Sequence, residues 1–133
     1  MGKKNYPAFE VEISKNFSSG ISTQVDWEPS TNIIECVDRL VVEMELPGVN
    51  KEDVSILLQE NRELIIRGVK NKPPMAEARV TYYLFEREYG QFYKRIVIDF
   101  ALDSDGITST MENGVLTIQI PKKKAKKIAV EID

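Results

Sequence analysis

The chain has 133 residues, 42% apolar and 29% charged, with a formal net charge of −3, one cysteine and no histidine. That length holds one domain with a core of its own and no need of disulfide or metal support, and no apolar run approaches the roughly 20 residues that cross a bilayer. Without imidazole there is no Ser-His or Cys-His nucleophile pair, no His-ligated metal and no side chain with an ordinary pKa near neutrality, so much of enzyme chemistry is closed.

In chain order, residues 1–28 read as a pliable N-terminal arm. Phe9, Ile13, Phe17 and Ile21 recur at four-residue spacing, as a short amphipathic helix needs, while Phe9, Val11 and Ile13 also alternate as in a strand. Both periods fit, and "SSG" at 18–20 and Pro29 break the segment up. A tail without a fold of its own is the plainer alternative.

Strands dominate from Thr31 onward. In "RLVVEMEL", Leu40, Val42, Met44 and Leu46 take one face while Glu43 and Glu45 take the other, the period-two signature of a half-buried antiparallel strand, and Pro47-Gly48 ends it. "DVSILL" aligns Val54, Ile56 and Leu58, "ENR" turns the chain, and "ELIIRG" returns with Leu64 and Ile66 inward. "QFYKRIVIDF" places Phe92, Ile96 and Ile98 on one parity, "ITSTM" gives Ile107 and Met111, and "VLTIQI" gives Leu116, Ile118 and Ile120. Asn113-Gly114 between the last two suits the positive φ angles of a tight hairpin. Six or seven short strands with no helical period between them predict an all-β, antiparallel β-sandwich over 29–121, followed by a tail over 122–133. The insert "VKNKPPMAEARVTYYLFEREY" is broken by Pro73-Pro74 and then resumes strand-like residues. Val80, Tyr82 and Leu84 suit either a strand lent to a partner subunit or a local edge strand.

The polar clusters carry little chemistry. "DSDG" at 103–106 begins like a calcium loop but lacks the further ligands, the closing glutamate and the flanking helices, so a polar turn is expected. "KKKAKK" at 122–127 has no interleaved aromatic residue, and with an acidic chain around it reads as a solvated hinge, so no nucleic-acid partner is expected. Cys36 reads as a small apolar residue. No continuous apolar stretch or small-residue cleavage site follows "MGKK", so a cytoplasmic, non-membrane location is the expectation, in keeping with the single thiol.

The stretch "VEMELPGVNKEDVSILLQENRELIIRG" resembles the small heat-shock protein family, whose shared part is the alpha-crystallin domain. Its Leu-Pro-Gly-Val, Lys-Glu-Asp-Val and Asn-x-x-Leu-x-Ile-x-Gly pieces occur here in order. "EREYGQFYKR" and "TMENGVLTIQIPK" resemble two further family elements, so the likeness runs from about residue 27 to 133. Three positions depart from the pattern: Lys94 stands at the family's Phe-x-Arg arginine with Arg95 next to it, Ser109 replaces an alanine, and "IDFALD" lacks the usual Leu-Pro.

The resemblance implies an immunoglobulin-like sandwich and an ATP-independent chaperone. Such a holdase binds partly unfolded client proteins through exposed apolar surface, works as an exchangeable homo-oligomer built from dimers, and is not an enzyme. It implies that an Ile-x-Val tail, Ile128 to Val130 or alternatively Val130 to Ile132, enters a groove on a neighbouring subunit made by Val54, Ile56, Leu58, Ile107 and Ser109. Val80, Tyr82, Leu84, Lys94 and Arg95 fall at the implied dimer interface, and Phe9, Phe17, Ile21 and Trp27 are the candidate client-binding residues. No metal, catalytic residue or cofactor is implied, and no Gly-rich loop precedes a Lys-Ser or Lys-Thr pair. A CS-domain co-chaperone adaptor, which shares the sandwich but docks on one defined partner, is the alternative. A carboxylate or lysine enzyme is a remote third.

Overall fold

The computed structural model describes residues 4–5, 9–12, 16–18, 22–124 and 129–133. Its strands are β1 Lys4–Asn5, β2 Phe9–Glu12, β3 Asn16–Ser18, β4 Ser22–Gln24, β5 Thr31–Glu35, β6 Arg39–Glu45, β7 Val54–Gln59, β8 Glu63–Lys70, β9 Gly90–Ile98, β10 Thr108–Glu112 and β11 Val115–Pro121. Two antiparallel sheets, in the orders β1-β2-β9-β8-β7 and β10-β11-β6-β5, form the sandwich, and β3 and β4 make a separate hairpin. The helical elements among the described residues are two single 3₁₀ turns, Lys51–Asp53 and Ser104–Gly106, and none is long or apolar enough to cross a membrane. In the second turn the Asp103 carboxylate accepts from the Asp105 N–H at 3.0 Å, so "DSDG" closes on itself as a polar turn.

The alternation in the sequence becomes the core directly. Leu40, Val42 and Met44 of β6, Leu64 and Ile66 of β8, Ile96 of β9, and Ile118 and Ile120 of β11 are all fully buried. Each such side chain stabilises the fold by roughly 1.5–3 kcal/mol through loss of contact with water. The register fixes this outcome, since a one-residue slip would turn each strand's apolar set to solvent. Ile118 stands opposite Val42, and Leu64 opposite Ile96.

The sequence motifs meet in space. Asn113 and Gly114, at φ 52° and 73°, make the tight turn that joins β10 to β11. The Gly114 carbonyl accepts from the Leu46 N–H at 2.7 Å, so the turn is tied to the Leu-Pro-Gly corner. Gly68 pairs with Phe92 across β8 and β9, and a Cβ there would stand 2.3 Å from the Asp53 carbonyl oxygen and 2.7 Å from the Phe92 ring. Only a glycine lets that ring lie flat over the strand. The Trp27 ring then meets Phe92 edge-on at 5.4 Å, and its indole N–H donates to the Gly90 carbonyl at 2.9 Å.

Gly90 opens β9 at φ 106°, outside the range of ordinary L-residues, with the Asp26 carboxylate 2.3 Å from where a Cβ would stand. That carboxylate accepts from the Gln91 N–H at 2.7 Å. Gly90 therefore sets the angle at which residues 26–27 seal the end of the core.

Lys94 is the one buried charged residue among the described ones, 6% exposed, and shares the inward parity of Phe92, Ile96 and Ile98. Its ammonium donates to the Pro29 carbonyl at 3.1 Å and to Thr31 Oγ1 at 2.7 Å, so it ties β9 in one sheet to the start of β5 in the other. Arg95, on the opposite parity, donates from Nε to Glu63 Oε1 at 2.6 Å.

Two outcomes follow for folding. Gly90→Ala is expected to lose on the order of 1–3 kcal/mol of stability from backbone strain alone, with more from the Asp26 clash, read by thermal unfolding through Trp27 fluorescence. Lys94→Ala is expected to lose roughly 1.5–3 kcal/mol and to speed hydrogen–deuterium exchange over 29–35 more than over 40–46, because the Pro29 and Thr31 oxygens lose a charged donor.

Candidate functional site

The two sheets do not close on each other along the side where β7 and β10 form their outer edges. There the sequence supplies Val54, Ile56 and Leu58 from β7 and Ile107 and Met111 around β10, and all five are only half-buried although they pack on the core. They frame a cavity of about 180 Å³ lined by Lys51, Val54, Ile56, Ser109, Thr110, Met111 and Leu116. Leu116, 4% exposed, forms its floor. Of the five groove residues expected from the sequence, Val54, Ile56 and Ser109 line this cavity, and Leu58 and Ile107 extend its apolar wall along the core. Lys51, Thr110, Met111 and Leu116 were missing from that set. Met111 shares the parity of Ile107 and Ser109, a signal present in "ITSTM"; Lys51 enters through the 3₁₀ turn before β7, which period two does not announce.

The walls of this seam are alkyl groups still partly exposed, with Ser109 and Thr110 beside them. Two exposed strand edges beside it offer backbone N–H and C=O groups to an extended segment.

Two of the three expected tail residues are described. Val130 and Ile132 are 82% and 98% exposed, so neither packs against its own sandwich. Ile128 lies outside the described residues.

The expected dimer residues divide. Val80, Tyr82 and Leu84 lie in the stretch 71–89, which forms no strand with its own sheets, so the local edge strand is not what the chain makes. All three are exposed, as are Tyr83 and Phe85. The stretch packs on itself: Tyr82 and Phe85 meet edge-on at 5.1 Å, and the Lys72 ammonium lies 4.5 Å from one ring centre and 4.9 Å from the other. Lys94 and Arg95 point to opposite faces of β9 with the partners given above, and parity with Phe92 was the signal for Lys94. β5, whose first residue Lys94 holds, pairs only with β6 among the described residues, leaving its outer edge open.

The client-binding set is corrected at Trp27. It is 8% exposed, packed edge-on against Phe92 and bonded to Gly90, so it belongs to the core and presents no surface to a client. Ile21 lies outside the described residues, and Phe9 and Phe17 fall within β2 and β3.

The architecture agrees with known proteins. The model of the Hsp20/alpha crystallin family matches residues 32–133. Small heat shock protein C2 of Rickettsia felis is 36% identical over 118 residues, covering 86% of this chain and 75% of that protein. A 17.5 kDa class I heat shock protein of Glycine max is 31% identical over 119 residues, covering 90% of this chain and 73% of that one. Among solved structures, heat shock protein 16.0 from Schizosaccharomyces pombe is 33% identical with a TM-score of 0.66, covering 79% of this chain and 99% of that one. A small heat-shock protein from Xylella fastidiosa is 29% identical with a TM-score of 0.70, covering 82% and 99%. With the family's model matched over most of the chain and its solved members sharing the sandwich, the chain belongs to the Hsp20/alpha-crystallin family of small heat shock proteins, and its role is that of a chaperone.

Proposed function

We propose that the chain is an ATP-independent holdase in the cytoplasm: it covers apolar surface on partly unfolded proteins and keeps them from aggregating, as an exchangeable homo-oligomer assembled from dimers. One observation carries this reading: the half-buried aliphatic seam between β7 and β10 coexists with exposed Val130 and Ile132 that have no seat on their own domain. Each is the apolar complement of the other. Docking between copies removes both from water without any chemical step.

The magnitudes favour a contact that opens often. Two aliphatic side chains gain about 3–6 kcal/mol in gross burial, and ordering the tail subtracts from it, so one tail alone binds near or weaker than the millimolar range. An assembly with many tails is nonetheless stable, because each contact raises the effective concentration of the others. Lys51 at the rim adds charge complementarity to Glu131, which supports the tail register that places Val130 and Ile132 in the seam. The stretch 71–89 and the open edge of β5 are the proposed halves of the dimer contact, since exposed Val80, Tyr82 and Leu84 suit a strand laid along a partner's edge. When tails leave, the seam itself is apolar surface for clients, together with Phe9, Phe17 and Ile21 of the arm.

Light scattering tests the chaperone action. The chain is expected to suppress aggregation of an unrelated heat-labile enzyme at near-stoichiometric ratio, equally with and without ATP. A monomer that protects no arbitrary protein would favour the adaptor alternative. Val130→Ala with Ile132→Ala, and separately Ser109→Trp to fill the seam, are expected to shift native mass from large assemblies to small species. Unchanged mass in both variants would contradict the docking.

A further inference from the structure

β9 is flanked on both sides, and the two flanks are very unequal. Eight residue pairs join it to β8, from Glu63 opposite Val97 to Lys70 opposite Gly90. Only four pairs join its other edge to β2 of the N-terminal arm: Phe9 opposite Ile98, Glu10 opposite Val97, Val11 opposite Ile96 and Glu12 opposite Arg95. A ladder of four residues holds little against the conformational freedom its segment regains on leaving, so β2 gives way long before β8 does.

The register is chemically specific. Residues directly opposite in an antiparallel pair interact most strongly. The apolar members of "FEVE" stand opposite Ile98 and Ile96, two buried core positions, and of its two acidic members Glu10 stands opposite Val97 and Glu12 opposite Arg95. Arg95 is held in place by Glu63 of β8 yet keeps 30% of its side chain exposed. Once β2 leaves, the edge consists of unpaired backbone groups running past Ile96, Val97 and Ile98, with a fixed guanidinium at Arg95. An exposed edge of that kind recruits extended polypeptide.

We propose that the outer edge of β9 is a peptide-binding edge, occupied at rest by the chain's own Phe9–Glu12. It accepts in exchange an extended client segment in which large apolar residues alternate with carboxylates. The arm is then a built-in competitor: a client must displace it, so folded proteins, which offer no free extended segment, are ignored. This rests on the holdase reading but adds a site distinct from the β7–β10 seam, with a stated ligand chemistry.

The test uses full-length protein and a fluorescent peptide of the chain's own sequence 4–14. Glu10 stands opposite Val97 in a hydrogen-bonded pair, so Glu10→Pro removes an N–H that the arm strand donates to β9 and fixes its φ, and the variant cannot hold the ladder. The Glu10→Pro chain is expected to bind the peptide at least tenfold more tightly than the wild type. The same peptide carrying Glu10→Pro is expected not to bind. Arg95→Gln in the Glu10→Pro chain is expected to weaken binding several-fold. An unrelated Leu-Asp-Ile-Glu peptide should compete, and a Leu-Lys-Ile-Lys peptide should not. Equal binding by wild type and variant, no binding at all, or equal binding of the proline peptide overturns the proposal. A measurement free of variants supports it independently: excess wild-type peptide should slow hydrogen–deuterium exchange over 91–98 in the wild-type chain, and unchanged exchange there counts against it. If the chain still suppresses aggregation while these results are negative, the β9 edge fails and the holdase reading stands. If the wild type protects no client, the holdase reading fails whatever the peptide does.

Discussion

Everything in this molecule follows from a sandwich whose apolar filling is complete in the middle and incomplete along one side. The central strands β6, β8, β9 and β11 bury their inward residues fully, so the domain holds together on its own. At β7 and β10 the same alternation continues, but no further strand or helix among the described residues covers it, and Val54, Ile56, Leu58, Ile107 and Met111 stay half in water. Alkyl groups left at a water-filled seam are a standing free-energy deficit that only apolar matter from outside the domain can relieve. A chaperone needs that condition held stably by a fold that does not collapse around it.

The rigid part of the fold keeps the seam open. Gly68 lets the Phe92 ring lie over its strand, Trp27 closes on that ring, and Gly90 fixes the approach of residues 26–27. Lys94 joins the two sheets across the far side by bonding Pro29 and Thr31. The Trp27 and Lys94 contacts hold the end and the far side of the sandwich together, while Gly68 stands opposite Val54 at the seam itself. The parts proposed to move are held differently. The tail residues are exposed, the stretch 71–89 is held by cation and ring contacts instead of a ladder, and β2 is held by four residue pairs. Strong interactions build the scaffold and weak ones are left for exchange.

Period two in the sequence identified the sandwich and nearly all of its core, because a strand with one buried face writes its orientation into alternate residues. Parity turned Val54 and Ile56 inward, while only the family resemblance joined them with Ser109 in one groove; the three line one cavity. Parity did not separate a filled face from a half-filled one, since Ile56 and Ile66 look alike in sequence and differ only in what lies opposite. Lys94 was read as an interface cation because it stands where the resemblance puts the family's interface arginine; its parity with Phe92 and Ile96 carried the inward orientation. Trp27 was grouped with the arm because it precedes Pro29, and its burial depends on Phe92 and Gly90, more than sixty residues away. The strand-like character of "RVTYYLF" was legible, but a strand needs a paired edge, and the stretch 71–89 lies along none of those its own domain leaves open.

The central claim is that the seam of one copy receives the tail of another, weakly and reversibly. Methyl-resolved NMR of the protein lacking residues 128–133, titrated with a free peptide of 124–133, measures this most directly. The account predicts saturable shifts confined to Val54, Ile56, Leu58, Ile107 and Met111, with an affinity near or weaker than millimolar and loss of the effect when the peptide's aliphatic residues become alanine. Shifts scattered elsewhere, or none at saturating peptide, would contradict it.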